Sequence, residues 1–389
     1  MTATEERPVG AGVPTGGGGP AAVDGLPTAG GPCAQDGPSA GDGHGEGDGP
    51  AAGDGQEAAV LLARTRETVD PRLRRTVESL PGSMRRVAMY HFGWERADGS
   101  PAEGQPGKAI RPALVLASAE ALGGRAEDAV PAAVAVELAH NFTLLHDDVI
   151  DEDARRRGRA TAWTVFGIPD AIISGDAMMA LALQQLAQDP HPASARASAR
   201  LAACVIELCG GQQADIAFER RDHVALDECL DMAMAKTGAL LGCACALGAL
   251  YAGAGPEEVD AMDAFGREAG LAFQLIDDLI GIWGDPEHTG KPAGADLHAR
   301  KKSLPVVAAL TSGSAAGAEL AALYAGPMDA DDVRRAADAV DRAGGRDWAQ
   351  AHAADRMGRA VQQLARAVPD PGAVGGLLAL AEFVTRRTR

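Results

Sequence analysis

From about Glu57 to Arg389 the chain is a succession of Ala- and Leu-rich segments at helical spacing, and that pattern leaves few architectures open. Apolar residues recur three and four apart, the spacing of one helix face. Pro and Gly punctuate the segments at Pro81-Gly82, Pro101 to Gly107, Gly123-Gly124, Pro190 to Pro192, Gly253 to Pro256, Gly284 to Gly294 and Pro369 to Gly372. There is no βαβ alternation, no glycine-rich phosphate loop after a strand and no short fixed repeat. Hydrophobic residues form 46% of the chain, enough for a sizeable core, but aromatics only 4%. An Ala-rich core of that kind favours closely packed helices over sheets, so an all-α fold is expected. The segment Pro131 to His140 reads as a helix with Pro131 in its first turn.

Residues 1–56 differ in kind. Gly, Ala, Pro and Asp dominate them, and such a stretch buries too little apolar surface to offset its ordering entropy. It reads as a disordered acidic tail before an all-helical domain at 57–389. The tail is a linker or a docking peptide, with the apolar islands near Val23–Leu26 as the candidates for docking. The formal net charge of −18 argues against nucleic acid or an anionic membrane surface as partner, so any anionic ligand needs a local basic cluster or metal ions. The six cysteines form no Cys-x-x-Cys pair and read as reduced core thiols. No apolar run reaches the length of a membrane span, and the amino terminus lacks the parts of a secretory signal. A soluble cytoplasmic protein without a stable membrane anchor is expected.

Two carboxylate clusters carry the chemistry. Asp147, Asp148 and Asp151 follow the apolar stretch Leu138 to Leu145, and helical spacing puts Asp147 and Asp151 on one face. Carboxylates so placed repel one another unless cations lie between them, and hard oxygen ligands suit Mg²⁺ with phosphate oxygens. A lone cluster of this kind is more often a solvated face. The second pair, Asp277 and Asp278, again follows an apolar helical run. Two such helices facing each other would clamp a diphosphate through metal ions. Gly281 stands where a third acidic residue would repeat the first motif, which leaves Asp277 the main ligand candidate there; Gly281 and Gly284 are expected to break the helix. Basic groups supply the rest. Lys108 and Arg111 lie one turn apart at a helix start, which suits a second diphosphate without metal, and Arg155 to Arg157 follow the first acidic motif at once. Lys236 and Thr237 sit in an otherwise apolar helix, where an unpaired Lys would be costly. Lys291, Lys301 and Lys302 follow the second motif and could close over it.

In this order the segments GKAIRP, ELAHNFTLLHDDVIDED, RRRG, GDAMMALAL, GGQQADIAFE, AKTGALLG, FQLIDDLIG and GKPAGADLHARKKSLP resemble the trans-type polyprenyl diphosphate synthases, the farnesyl and geranylgeranyl diphosphate synthase-like enzymes. The resemblance runs from about Pro106 to Pro305. It implies an isoprenoid-synthase-type bundle of about ten or more helices around a central cavity, assembled as a homodimer. It implies that isopentenyl diphosphate is held by Lys108, Arg111, His140 and Arg157. The allylic diphosphate would meet Arg156, Lys236, Thr237, Gln274, Lys291 and Lys301. Asp147, Asp151 and Asp277 would bind Mg²⁺, three ions with substrate bound, supported by Asp148 and Asp278. Asp147, Asp151, Lys236, Thr237 and Gln274 would be the catalytic set. His140, taken alone, would more often be a satisfied core histidine.

Phe142 and Thr143 precede the first acidic motif by about a turn and a half. In the resemblance such a ring is the floor of the product cavity and points to a geranylgeranyl (C20) or farnesyl (C15) product; as plain packing, Phe142 would serve the core equally well. Two departures stand out: Gly281, and Trp163 near where the family often has His. A terpene cyclase of the same fold would lack the second diphosphate site that Lys108, Arg111 and Arg157 suggest. A metal phosphohydrolase on His146-Asp147 would leave the second Asp pair unexplained. A weakly active partner subunit is a third alternative, as is cargo of an encapsulin-type shell, whose tails are similar to this one in composition only.

Overall fold

The computed structural model describes residues 51–102, 104, 107–285 and 293–385. Residues 1–50, with the docking islands and most of the expected tail, lie outside them, as does Lys291. The first helix, α1 (Ala51–Glu78), takes in residues 51–56, which composition assigns to the tail. Extending a helix that is already nucleated and packed fixes one residue per hydrogen bond, so a few Gly do not stop it.

The chain continues through α2 (Gly82–Phe92), α3 (Ile110–Ala121) and α4 (Ala126–Ile150). A two-stranded hairpin follows, β1 (Arg155–Arg156) antiparallel to β2 (Arg159–Ala160). Then come α5 (Ala162–Phe166), α6 (Ile168–Ala187), α7 (Ser194–Glu219) and α8 (Leu226–Ala233). A π-helical turn at Met234–Gly238 leads into α9 (Ala239–Tyr251) and the long α10 (Pro256–Trp283). The last part holds α11 (Ala295–His298), α12 (Leu304–Leu310), α13 (Ala315–Tyr324), α14 (Ala330–Arg342), α15 (Gly345–Ala367) and α16 (Gly375–Thr385). The described residues are thus helical almost throughout, and every Pro/Gly interruption read from the sequence falls where one helix yields to the next. Two local readings shift. Pro131 lies inside α4, which starts earlier at Ala126. Gly281 is helical, and α10 stops only at Gly284.

At the centre is α9, every residue of which is buried. A helix apolar all round is stable only when surrounded, and α3, α4, α7 and α10 surround it. Small residues set the spacing. A Cβ at Gly266 of α10 would stand 2.7 Å from Gly242 Cα of α9, so only glycine permits that approach. The continuous helical stretch Leu226–Tyr251 is long and apolar enough to cross a membrane, which the sequence did not suggest because Asp227, Glu228, Asp231 and Lys236 interrupt it. Its most apolar window is 83% buried within the bundle. Cys204, Cys229, Cys243 and Cys245 are buried free thiols, and Cys209 is exposed.

Candidate active site

Four helix ends and one hairpin bring the chemical groups together. On α4, Asp147 and Asp151 occupy successive turns of one face. Burial pushes the Asp147 carboxyl up to about 6; Lys236 opposes that shift and Asp151 adds to it. Asp151 is raised for the same reason, again opposed by Lys236. Asp148 is buried: its Oδ1 takes the Arg156 Nε at 2.5 Å, and its Oδ2 has no partner.

The second cluster is built differently. Asp277 is exposed on α10. Asp278 is 3% exposed, with Oδ1 accepting from Gln274 Nε2 at 2.8 Å and Oδ2 from the Leu304 amide at 2.9 Å. Both its oxygens are therefore engaged within the fold. Gln274 Oε1 in turn accepts from Thr237 Oγ1 at 2.7 Å. Thr237 and Lys236 lie on the π-helical turn, a distortion common at functional sites. Lys236 Nζ donates to Asp215 Oδ2 at 2.6 Å.

Lys301 joins the two clusters. Burial alone would lower its pKa, but Asp278, Asp296, Asp215 and Asp277 outweigh that and raise it. The same ammonium acts on Asp151. Its neighbour Lys302 turns elsewhere, donating to the Phe218 carbonyl at 2.6 Å.

Two carboxylates that motif reading passed over belong here. Asp215 on α7 pairs Lys236. Asp296 on α11 fills the space over Gly281: a Cβ there would meet Asp296 Oδ2 and stand 2.6 Å from its Cγ. The space beside the α10 position that lacks an acidic group is thus occupied by the carboxylate of a different helix. Only the fold, not residue spacing, could reveal that.

The basic cluster forms about 29 residues of sequence separation apart yet in contact: Arg111 Nη1 lies 3.1 Å from His140 Nε2. Lys108 precedes α3, with Ala109 in left-handed conformation between it and the helix. Arg111 is lowered to about 10 by burial, opposed by Glu137. His140 is driven well below the usual imidazole range by burial and then by Arg111, Arg157 and Arg156. Arg157 is itself lowered by burial. The hairpin bearing Arg156 and Arg157 is fixed by Arg159, which donates to the carbonyls of Tyr90 at 2.8 Å and His91 at 2.9 Å. Trp163, the second departure, donates from Nε1 to the Asp153 carbonyl at 2.9 Å and anchors the turn after α4.

Phe142 is 8% exposed and meets the His146 ring edge-on at 4.9 Å. His146 Nε2 is 3.1 Å from the Ile172 carbonyl of α6. Thr143 is also buried, its hydroxyl bonded to the His140 carbonyl at 2.8 Å.

The model of the polyprenyl synthetase family matches residues 102–352. The chain belongs to that family. It is a prenyltransferase of the trans-prenyl diphosphate synthase type. It is 50% identical over 330 residues to a geranylgeranyl diphosphate synthase of Mycobacterium tuberculosis, covering 84% of this chain and 93% of that one. It is 44% identical over 333 residues to a (2E,6E)-farnesyl diphosphate synthase of the same organism, covering 84% and 92%. Among solved structures, a polyprenyl synthetase from Streptomyces coelicolor superposes with a TM-score of 0.81 at 45% identity, over 84% of this chain and 99% of that one. This synthase is therefore a short-chain prenyl-elongating enzyme, and the terpene cyclase and phosphohydrolase alternatives fall away.

Proposed function

We propose that this synthase condenses isopentenyl diphosphate with an allylic diphosphate at the cleft between the two acidic clusters, and that its product is geranylgeranyl diphosphate. The observation that carries the site assignment is the separation of charge along α4. His140 faces the arginines Arg111, Arg156 and Arg157, with Glu137 the acid that acts most strongly on Arg111 and Arg157, while Asp147 and Asp151 face Lys236, and Asp151 faces Lys301 as well. One end suits a diphosphate without metal; the other suits a diphosphate brought with cations.

The donor set fits Mg²⁺. Among the described residues no three acidic, His or Cys side chains already converge on one point. Yet Asp147 and Asp151 share a face, burial raises both, and Asp277 is exposed and able to reach inward. Hard carboxylate oxygens with raised pKa gain most from a hard cation. Asp147, Asp151 and Asp277 would hold Mg²⁺, and the chemistry such a cation supplies when bound is neutralisation of charge on a departing diphosphate. Arg156, Lys236 and Lys301 would hold the same diphosphate, with Lys291, outside the described residues, as a further candidate. Asp278 positions neighbours and does not ligate directly, since both its oxygens are engaged, while Asp148 supports the site through its bond to Arg156.

The remaining steps belong to this chain's own groups. Lys108, Arg111, His140 and Arg157 hold isopentenyl diphosphate with its double bond toward the allylic carbon. The Thr237–Gln274 pair, locked by hydrogen bonds, presents oxygens toward the allylic cation. The released diphosphate accepts the proton lost on elimination. Buried apolar residues around Phe142 and Leu145 keep out water that would capture the cation. Phe142, edge-on against a tethered His146, is the proposed cavity floor with Thr143 beside it. We further propose a homodimer working in the cytoplasm. Incubation with labelled isopentenyl diphosphate, Mg²⁺ and each allylic primer in turn tests the reading. A C20 product is expected; a product above C25, or none with any primer, would overturn it.

A further inference from the structure

The last turn of α2 carries a side chain that none of the motifs contains. His91 is 7% exposed; its Nε2 is buried and makes no close hydrogen bond, although the Asn141 side chain lies near enough to interact with the ring. It lines a small pocket with Tyr90, Asp148, Arg156, Arg157 and Arg159. The pocket is fixed from two sides: Arg159 donates to the His91 carbonyl, and Tyr90 Oη donates to the Ala160 carbonyl at 2.8 Å. On its far side His91 is within electrostatic reach of His140.

Burial first, and then Arg157, Arg156 and Arg159, hold the His91 pKa down to about 3, so the ring is neutral at ordinary pH. A neutral imidazole offers an N–H without adding charge. Buried polar atoms rarely go unpaired, yet this region has three donors without a close partner, His91 Nε2, Arg111 Nε and Arg66 Nε, against two such acceptors, Asn141 Oδ1 and Asp148 Oδ2. Arg66 is part of it because its Nη2 donates to the Gly107 carbonyl at 3.0 Å, beside Lys108. The pocket's own carboxylate is committed only in part: Asp148 Oδ1 takes Arg156, and its Oδ2 stays open. Donors left over in a cationic pocket match a ligand made only of acceptors, and a diphosphate is such a ligand.

We infer that His91 is a further ligand of isopentenyl diphosphate, its imidazole N–H donating to a diphosphate oxygen between Arg157 and His140. This deepens the proposed function and rests on the basic cluster being the metal-free diphosphate site.

The test uses the full chain with inorganic diphosphate as probe, titrated calorimetrically in EDTA so that the carboxylate clusters take no part. It is paired with steady-state KM values for both substrates. His91→Phe keeps the ring and removes the donor; His91→Gln keeps an N–H near the same place. His91→Phe is expected to weaken diphosphate binding roughly 10-fold and to raise KM for isopentenyl diphosphate by a similar factor, the loss of one charge-assisted hydrogen bond. KM for the allylic substrate should stay within about twofold, and His91→Gln should recover most of the affinity. Unchanged diphosphate affinity in His91→Phe would overturn the inference. So would equal shifts in both KM values with a lowered Tm, which would make His91 a packing residue bonded to Asn141. Arg157→Ala separates the two levels of the argument. If it weakens diphosphate binding while His91→Phe does not, only the His91 assignment falls. If neither variant changes binding, the cluster is not the diphosphate site.

Discussion

Replacing Gly281 by Ala should cripple turnover without destabilising the fold. A Cβ at this position would stand 2.6 Å from Asp296 Cγ and 3.0 Å from its Oδ1. Carbon contacts settle near ~3.6 Å, so the Asp296 carboxylate has to retreat by about 1 Å. Asp296 is one of the charges holding Lys301, and Lys301 stands between the two acidic clusters. A displacement of that size at a reacting centre costs on the order of 10²-fold in rate. Stability should move the other way, because Gly to Ala inside a helix is worth roughly 0.5–1 kcal/mol. Kinetics with saturating substrates, together with a thermal melt, read both effects. Gly281→Asp restores the acidic residue common in the family, but it should be no better than Ala, since the space is already taken. Wild-type kcat in Gly281→Ala, or faster turnover in Gly281→Asp, would show that Asp296 does not stand in for the absent carboxylate.

Asp147→Ala should lower kcat to background while circular dichroism and Tm stay near wild type, because the residue is proposed as a Mg²⁺ ligand and not as a packing group; near-normal turnover would defeat the assignment. Phe142→Ala should shift product past C20, read by chromatography of the dephosphorylated alcohols, and an unchanged product would place the floor elsewhere. Stability without ligand should fall with acid through His91. Its folded pKa of about 3 lies below the usual 6.5, so the unfolded chain binds the extra proton and stability drops as pH falls from about 6.5 toward 3. His91→Gln should flatten the Tm-against-pH curve in that window, and parallel curves would mean that other groups set the acid limit.

How much of this was legible beforehand follows from what each feature depends on. Helices and their breaks are local properties, and Pro and Gly marked them at almost every junction. The carboxylate pairs and the Lys108–Arg111 step are short-range spacings, equally open to reading. Asp215, Asp296 and His91 were not, because each gains its role from another element: α7 against the π-helical turn, α11 over Gly281, α2 under the hairpin. The hairpin itself gave no periodic signal, being two residues per strand. Its position depends on Arg159, which in the sequence is one more arginine beside three others. Asp277 and Asp278 look alike as neighbours in sequence, yet the helix turns one outward and buries the other among donors.

The arrangement also explains how a chain of net charge −18 can gather two polyanions. Both sites are strung along α4, which brings His140 to one and Asp147 to the other. Seven residues at ~1.5 Å each put about 10 Å between them, and a continuous helix makes that spacing rigid. Arg111 and His140 are half-buried, so the Arg111 charge is screened by solvent less than those of the exposed Lys108 and Arg157. The acidic cluster would repel a bare diphosphate and accept one only with its cations. On the proposed assignment, two substrates with the same diphosphate head would be sorted by metal dependence and not by shape. On the proposed assignment Phe142, between the two sites, lies where the growing tail would pass, and one ring on this helix would set product length without touching either diphosphate.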